Sequence, residues 1–167
     1  MEKIEIERKY VIQKPNADFY KTADDYGVSE IEQIYLEAPK GETLRIRMRK
    51  YPTDTVYIKT HKIRIDEISC IERECELASS EYEALAKNIL HGTRPILKKR
   101  HTFKYLGQLF EIDEYPEWQR CCIMEAELPS RDCNVQPPSF IRIIKDVTGD
   151  RAYSNASMSR AFPEELI

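Results

Sequence analysis

The chain has 167 residues, 41% apolar and 33% charged, with 26 lysines and arginines against 29 aspartates and glutamates for a net charge of −3. That is one domain's worth of chain, read as a single domain over 1–167 and long enough to bury a core without disulfides or a structural metal. The charged fraction exceeds the ~25% usual in globular domains, yet the signs balance, which excludes a protein held on nucleic acid by bulk positive charge and a disordered acidic tail.

No apolar run approaches the ~18–20 residues of a membrane span. The start MEKIEIERKY is charged where a signal peptide is apolar. Cys70, Cys75, Cys121, Cys122 and Cys133 form no C-x-x-C pair, which suits free thiols. The expectation is a cytoplasmic protein with no nucleic-acid or membrane partner. His61, His91 and His101 lack ligand spacing for zinc, and the common glycine-rich phosphate loops are missing.

In chain order, period-2 segments dominate. Residues 2–12, 31–37, 43–50, 55–64, 69–77, 96–105, 108–115 and 121–128 predict about eight strands, mostly antiparallel neighbours. Pro39-Lys40-Gly41 and Tyr105-Leu106-Gly107 predict hairpin turns. A short helix is expected near 16–26, after Pro15. The strongest helix signal is 80–91: Ser80 and Glu83 match a capping box, Tyr82, Leu85, Ala86, Ile89 and Leu90 keep helical spacing, and Gly92 and Pro95 stop it. A third helix is predicted near 139–147, carrying Phe140, Ile143, Ile144 and Val147 and ending at Gly149. The tail from Asp150 to Ile167 shows no clear period.

Residues two apart share one face of a strand. Glu5, Glu7 and Lys9 therefore stand together, as do Arg45, Arg47 and Arg49; Tyr57 and Lys59; Glu72, Glu74 and Glu76; Lys98 and Arg100; Glu111 and Asp113; and Glu125 and Glu127. Taken singly, each face fits a half-buried sheet with its charges in water. The set does not, because whole faces carry one sign and like charges two residues apart repel. A closed or nearly closed barrel with these charges in its lumen accounts for the sorting. Its basic wall would neutralise phosphates, and its acidic wall would hold a divalent cation through oxygen.

The ordered motifs resemble the CYTH superfamily, the triphosphate tunnel metalloenzymes. Glu5-Ile6-Glu7-Arg8-Lys9 matches the family's E-x-E-x-K, and Gln33-Ile34-Tyr35-Leu36 its Q-x-Y-L strand. Arg45-Ile46-Arg47, Tyr57-Ile58-Lys59, Glu74-Cys75-Glu76, Lys98-Lys99-Arg100, Glu111-Ile112-Asp113 and Glu125-Ala126-Glu127 resemble the later charged strands. Val147-Thr148-Gly149-Asp150 with Tyr153-Ser154-Asn155 resembles the family's close. Tyr57 stands where the family often has Thr, and Glu72 where it tends to be basic.

The resemblance covers about residues 2–160. It implies a mainly β, α+β fold: an eight-stranded antiparallel barrel with a few helices outside. It also implies Mg²⁺ or Mn²⁺ as cofactor and a small-molecule triphosphate as partner. Glu5, Glu7, Glu125 and Glu127 are the expected metal ligands, Glu127 by resemblance, with Glu111 and Asp113 for a second cation. Lys9, Arg45, Arg47, Lys59, Lys98 and Arg100 are the expected phosphate clamp, and Arg151 could reach the tunnel from the tail. Glu5, Glu7 and Lys9 form the catalytic group, with Tyr35 beside Lys9 by resemblance to hydrolytic members. The expected activity is metal-dependent hydrolysis of inorganic triphosphate or of an organic triphosphate such as thiamine triphosphate or a nucleotide. The alternatives are a class IV adenylate cyclase and a non-catalytic polyphosphate- or nucleotide-binding module.

Overall fold

The computed structural model describes residues 1–167. Nine strands form one sheet: β1 (Glu2–Gln13), β2 (Asp24–Leu36), β3 (Glu42–Lys50), β4 (Thr55–Arg64), β5 (Ser69–Glu76), β6 (Ile96–Tyr105), β7 (Gln108–Glu114), β8 (Cys121–Glu127) and β9 (Ile143–Asp146). Their order is β5-β4-β3-β2-β6-β7-β8-β1-β9, and β5 also pairs with β1. The first eight strands thus close into an antiparallel barrel, which leaves no long open edge.

All eight predicted strands are present. Gly41 (φ +83°) ends the β2–β3 turn, and Leu106 (φ +48°) with Gly107 (φ +76°) makes the two-residue β6–β7 hairpin. Both residues of that hairpin need positive φ for their twist to match the strands.

The helices differ from expectation. α1 (Ala17–Tyr20) and α2 (Ser79–Ala86) are shorter than predicted, and α3 (Asn155–Met158) follows a 3-10 turn at Arg151–Tyr153. The N-cap of α2 is Ala78, whose N–H donates to Glu81 Oε2 at 2.7 Å, so the Ser80–Glu83 capping box does not form. The helix predicted near 139–147 is absent. Ile143–Asp146 instead pairs with Tyr10–Ile12 as β9, because β5 covers only the first half of that edge of β1. An unpaired strand edge captured the segment over its local helical spacing.

Apolar residues pack in three places. Under α2, the outer faces of β2 and β3 bury Ile34, Leu36, Ile46 and Tyr82. Under α1 and the 129–142 segment, β1, β6, β7 and β8 bury Ile12, Phe103, Phe110, Ile112, Cys122 and Met124. The third cluster lies at one end of the barrel. There Val11, Ile96, Ile123 and Tyr115 meet Trp118, Tyr153, Met158 and Phe162. The unreadable tail is therefore a plug, fixed by Tyr115 Oη donating to Asn155 Oδ1 at 2.8 Å and Trp118 Nε1 donating to the Pro163 carbonyl at 2.9 Å. All five cysteines are free. No helix is long and apolar enough to cross a membrane.

Candidate active site in the barrel lumen

Cross-strand register decides which side chains enter the lumen. Glu7 faces Glu127 and Lys9 faces Glu125; Arg45 faces Tyr35 and Thr60; Arg100 faces Asp113; and Glu111 faces Glu125. Of these, Glu7, Lys9, Tyr35, Arg45, Arg100, Glu111, Glu125 and Glu127 line a cavity of about 510 Å³, together with Lys3, Glu5, Arg47, Arg49, Lys62, Arg64, Glu72 and Glu74. The lining also includes Gly41, the Thr148–Arg151 turn and Ser154–Ser157. Tyr35 is its only aromatic side chain.

The basic wall lies on β3 and its neighbours. Arg45 is 3.8 Å from Glu72, and Arg47 is 2.7 Å from Glu74. The Nε atoms of both arginines are buried without a partner, an arrangement that a phosphate oxygen would relieve. Burial and the charges of Arg45 and Arg100 push Arg47 down to about 10. Arg49 donates to Ser29 Oγ at 2.9 Å and lies over the Tyr51 ring at 4.8 Å.

The acidic wall is partly held by bases and partly uncompensated. Lys62 binds Glu5 at 2.6 Å and Glu72 at 3.0 Å. Burial would raise Glu5, yet Lys62 and Arg45 hold it below its ordinary value. Glu125 lies 3.0 Å from Lys9 and 3.3 Å from Arg100, and these cations overcome burial to hold it well below the carboxylate range. Glu7 is different: burial, then Glu125, raises it to about 7. Glu127, its cross-strand partner, is also raised, by burial and by Glu111, Glu5 and Glu72, with Lys3 opposing.

No three acidic, histidine or cysteine side chains converge as a ready chelating set. The donors nevertheless fit a hard divalent cation, because they are all carboxylates. Glu7 and Glu127 are half-buried cross-strand neighbours, each raised by burial and by other lumenal carboxylates, an excess of negative charge that such a cation would relieve.

Three expected site residues lie elsewhere. Lys59 pairs with Ile46 and Cys75 on the outer side of β4 and lines a shallow outer groove with Glu2, His61 and Arg73. The lumenal residues of that strand are Thr60 and Lys62, because Thr60 faces Arg45 and Glu74. Thr60-His61-Lys62 thus supplies the Thr-x-Lys that position 57 lacked. Lys98 and Asp113 point inward but lie outside the cavity lining, with side chains 1% exposed and 2.7 Å apart. Asp113 also accepts two 2.7 Å bonds from Arg100, so its oxygens are committed to bases and it is not placed as a metal ligand. Burial and the Arg100 charge lower Lys98 to about 8.

The other expected residues, Glu5, Glu7, Lys9, Tyr35, Arg45, Arg47, Arg100, Glu111, Glu125, Glu127 and Arg151, all line the cavity. Lys62 and Lys3 were missed. For Lys62 the sequence carried a signal, since alternation from Lys59 reaches His61, whereas alternation from Thr60 reaches Lys62. Gln33 is fully buried and donates to Tyr35 Oη at 2.5 Å, holding that phenol at the cavity wall.

The fold is thus a closed β-barrel whose lumen runs between sorted acidic and basic walls. Residues 3–160 match the CYTH domain, and the chain belongs to that family. The inorganic triphosphatase NE1496 is similar in structure, with 26% identity, TM-score 0.61, and coverage of 96% of this chain and 97% of that one. The PH1819 protein of Pyrococcus horikoshii shares the fold at 21% identity and TM-score 0.57, over 77% of this chain and 80% of that one. No curated relative matches the chain.

Proposed function

We propose that this chain hydrolyses inorganic triphosphate to pyrophosphate and orthophosphate, with a divalent cation. The observation that carries the reading is the cavity lining. Two buried arginines have unpartnered Nε atoms, the opposite wall is acidic, and only one aromatic ring, Tyr35, is present to meet an organic group. A nucleobase or thiazole would find a single aromatic ring, Tyr35, to stack on in the lumen. The likeness to the inorganic triphosphatase NE1496 over nearly the whole of both chains supports the same substrate.

Arg45 and Arg47 bind the phosphate chain through paired N–H donors, and Lys9, Lys62 and Arg100 add charge along it. Their salt bridges to Glu125, Glu5 and Asp113 hold them in place before substrate arrives, so little reorganisation remains at the reaction. Glu5, Glu7 and Glu127 would hold Mg²⁺ or Mn²⁺, which supplies charge neutralisation and a water of lowered pKa. Water attacks the terminal phosphorus in line and loses its proton to solvent, the bridging P–O bond breaks, and pyrophosphate departs with the bond's electron pair. The Tyr35 hydroxyl and the Lys9 ammonium stand at the wall to hydrogen-bond the reacting oxygens.

The test is incubation with Mg²⁺ or Mn²⁺ and, separately, inorganic triphosphate, ATP and thiamine triphosphate, with phosphate, pyrophosphate and cyclic AMP measured. Orthophosphate with pyrophosphate from inorganic triphosphate, above the rate on the other two, is expected. Cyclic AMP from ATP would replace the reading by a cyclase, and inactivity on every substrate would replace it by a binding module.

A further inference from the structure

We propose that Thr148 is a positioning residue for Lys9, its hydroxyl standing in for the strand missing at that point of the barrel wall. Along one edge β1 is continuously paired with β8, from Glu7 to Gln13. Along the other it changes partner. β5 covers Glu2–Ile6, the Glu7 N–H still reaches the Ile68 carbonyl at 3.0 Å, and β9 takes over only at Tyr10. Lys9 lies in the gap.

The Lys9 N–H donates to Thr148 Oγ1 at 3.0 Å, and the same hydroxyl lies 3.3 Å from the Lys9 carbonyl, which also accepts from the Val147 N–H at 2.9 Å. One side chain therefore satisfies a backbone donor that neither strand reaches. A buried or half-buried N–H left unpaired is costly, so the hydroxyl fixes the local course of β1.

Thr148 is itself held. Its N–H donates to Asp146 Oδ1 at 2.9 Å. The next residue, Gly149, has φ +76°, and a Cβ there would sit 3.2 Å from Glu67 Cβ on the β4–β5 turn. The turn is thus wedged against the opposite lip of the gap, where a β-carbon would be both crowded and strained by the positive φ. The Lys9 side chain points from this pinned backbone into the lumen, 3.0 Å from Glu125 and 4.0 Å from Glu7. Loss of the hydroxyl frees the backbone of the one lysine between those two carboxylates. Displacements of about 1 Å at such a group are enough to cost catalytic efficiency.

The consequence for catalysis rests on the proposed triphosphatase reading; the backbone contact does not. The test compares wild type, Thr148→Val and Thr148→Ser by amide hydrogen exchange at Lys9, with the ladder-paired Val11 amide as internal reference, and by kcat and KM on inorganic triphosphate. In Thr148→Val the Lys9 amide should exchange roughly ten-fold faster relative to Val11. The kcat/KM should fall about ten-fold, and Thr148→Ser should restore both. If Thr148→Val does not fold, Thr148→Ala is compared in the same way. Lys9 protection unchanged in the hydroxyl-free variant, or Thr148→Ser behaving like it, overturns the proposal. Absence of phosphate release by the wild type overturns the triphosphatase reading alone, since the exchange comparison still decides the role of Thr148.

Discussion

The two ends of this barrel are filled in opposite ways, although the same strands supply both. Along β1 the inward residues run Glu5, Glu7, Lys9 and then Val11; along β8 they run Glu127, Glu125 and then Ile123 and Cys121. β6 changes from Arg100 and Lys98 to Ile96, and β7 from Glu111 and Asp113 to Tyr115. Every change comes where Trp118 of the β7–β8 loop meets Tyr153, Met158 and Phe162 of the tail. On these four strands the inward positions are apolar where chain fills the lumen and charged where it does not. The Lys98–Asp113 pair lies at the boundary, buried, closely paired and outside the cavity. Charge in a barrel interior is thus of two kinds here: structural pairs already neutralised, and a wall left short of partners for a ligand.

The largest expected effect breaks the charged end. Glu7→Ala should abolish divalent-dependent phosphate release from inorganic triphosphate while leaving the circular-dichroism spectrum and cooperative unfolding intact; retained turnover would remove Glu7 from the metal-holding set. The plug should answer in the other currency. Trp118→Ala should cost about 3–5 kcal/mol in urea denaturation and still hydrolyse substrate at temperatures where it remains folded. Activity loss at constant stability would mean that Trp118 acts on the site through the tail residues Arg151 and Ser154–Ser157 that border the cavity.

Next is the contrast on β4. Lys62→Ala should raise KM for inorganic triphosphate roughly ten-fold, and Lys59→Ala should leave it unchanged. Equal effects would mean that the strand faces are assigned wrongly.

The smallest expected effect is a pH slope from the boundary pair. Lys98 is lowered in the fold to about 8 from 10.5, by burial and by Arg100. Between those values the unfolded chain binds more protons than the folded one, so this group's contribution to stability rises with pH from about 8 to 10.5. Wild type should gain stability relative to Lys98→Met across that window in urea titrations. A constant difference would place the Lys98 ammonium in an environment as favourable as water.

Much of the barrel was legible because alternation is local: Arg45, Arg47 and Arg49 share a face whatever the rest of the chain does. The same locality misled at β4, where two interleaved polar series, Tyr57–Lys59 and Thr60–Lys62, fit a strand equally well. Only pairing of Thr60 with Arg45 and Glu74 chose between them. It failed again at 139–147, whose spacing suits a helix but whose position beside the open half of β1 makes it a strand.

The sequence by itself determined that sorted charges of both signs line a set of strand faces, since side-chain direction follows from backbone geometry alone. It determined in the same way the turns at Gly41 and Gly107, which require positive φ. Tertiary structure decided the rest. Closure by β5 on β1 made those faces a lumen, and the tail made one end of it a dry core. Packing depth separated Lys98 and Asp113 from the cavity, and cross-strand register put Lys62 in place of Lys59. These outcomes depend on which distant residues become neighbours, because burial, ion pairing and accessibility are properties of the assembled wall and not of any one strand.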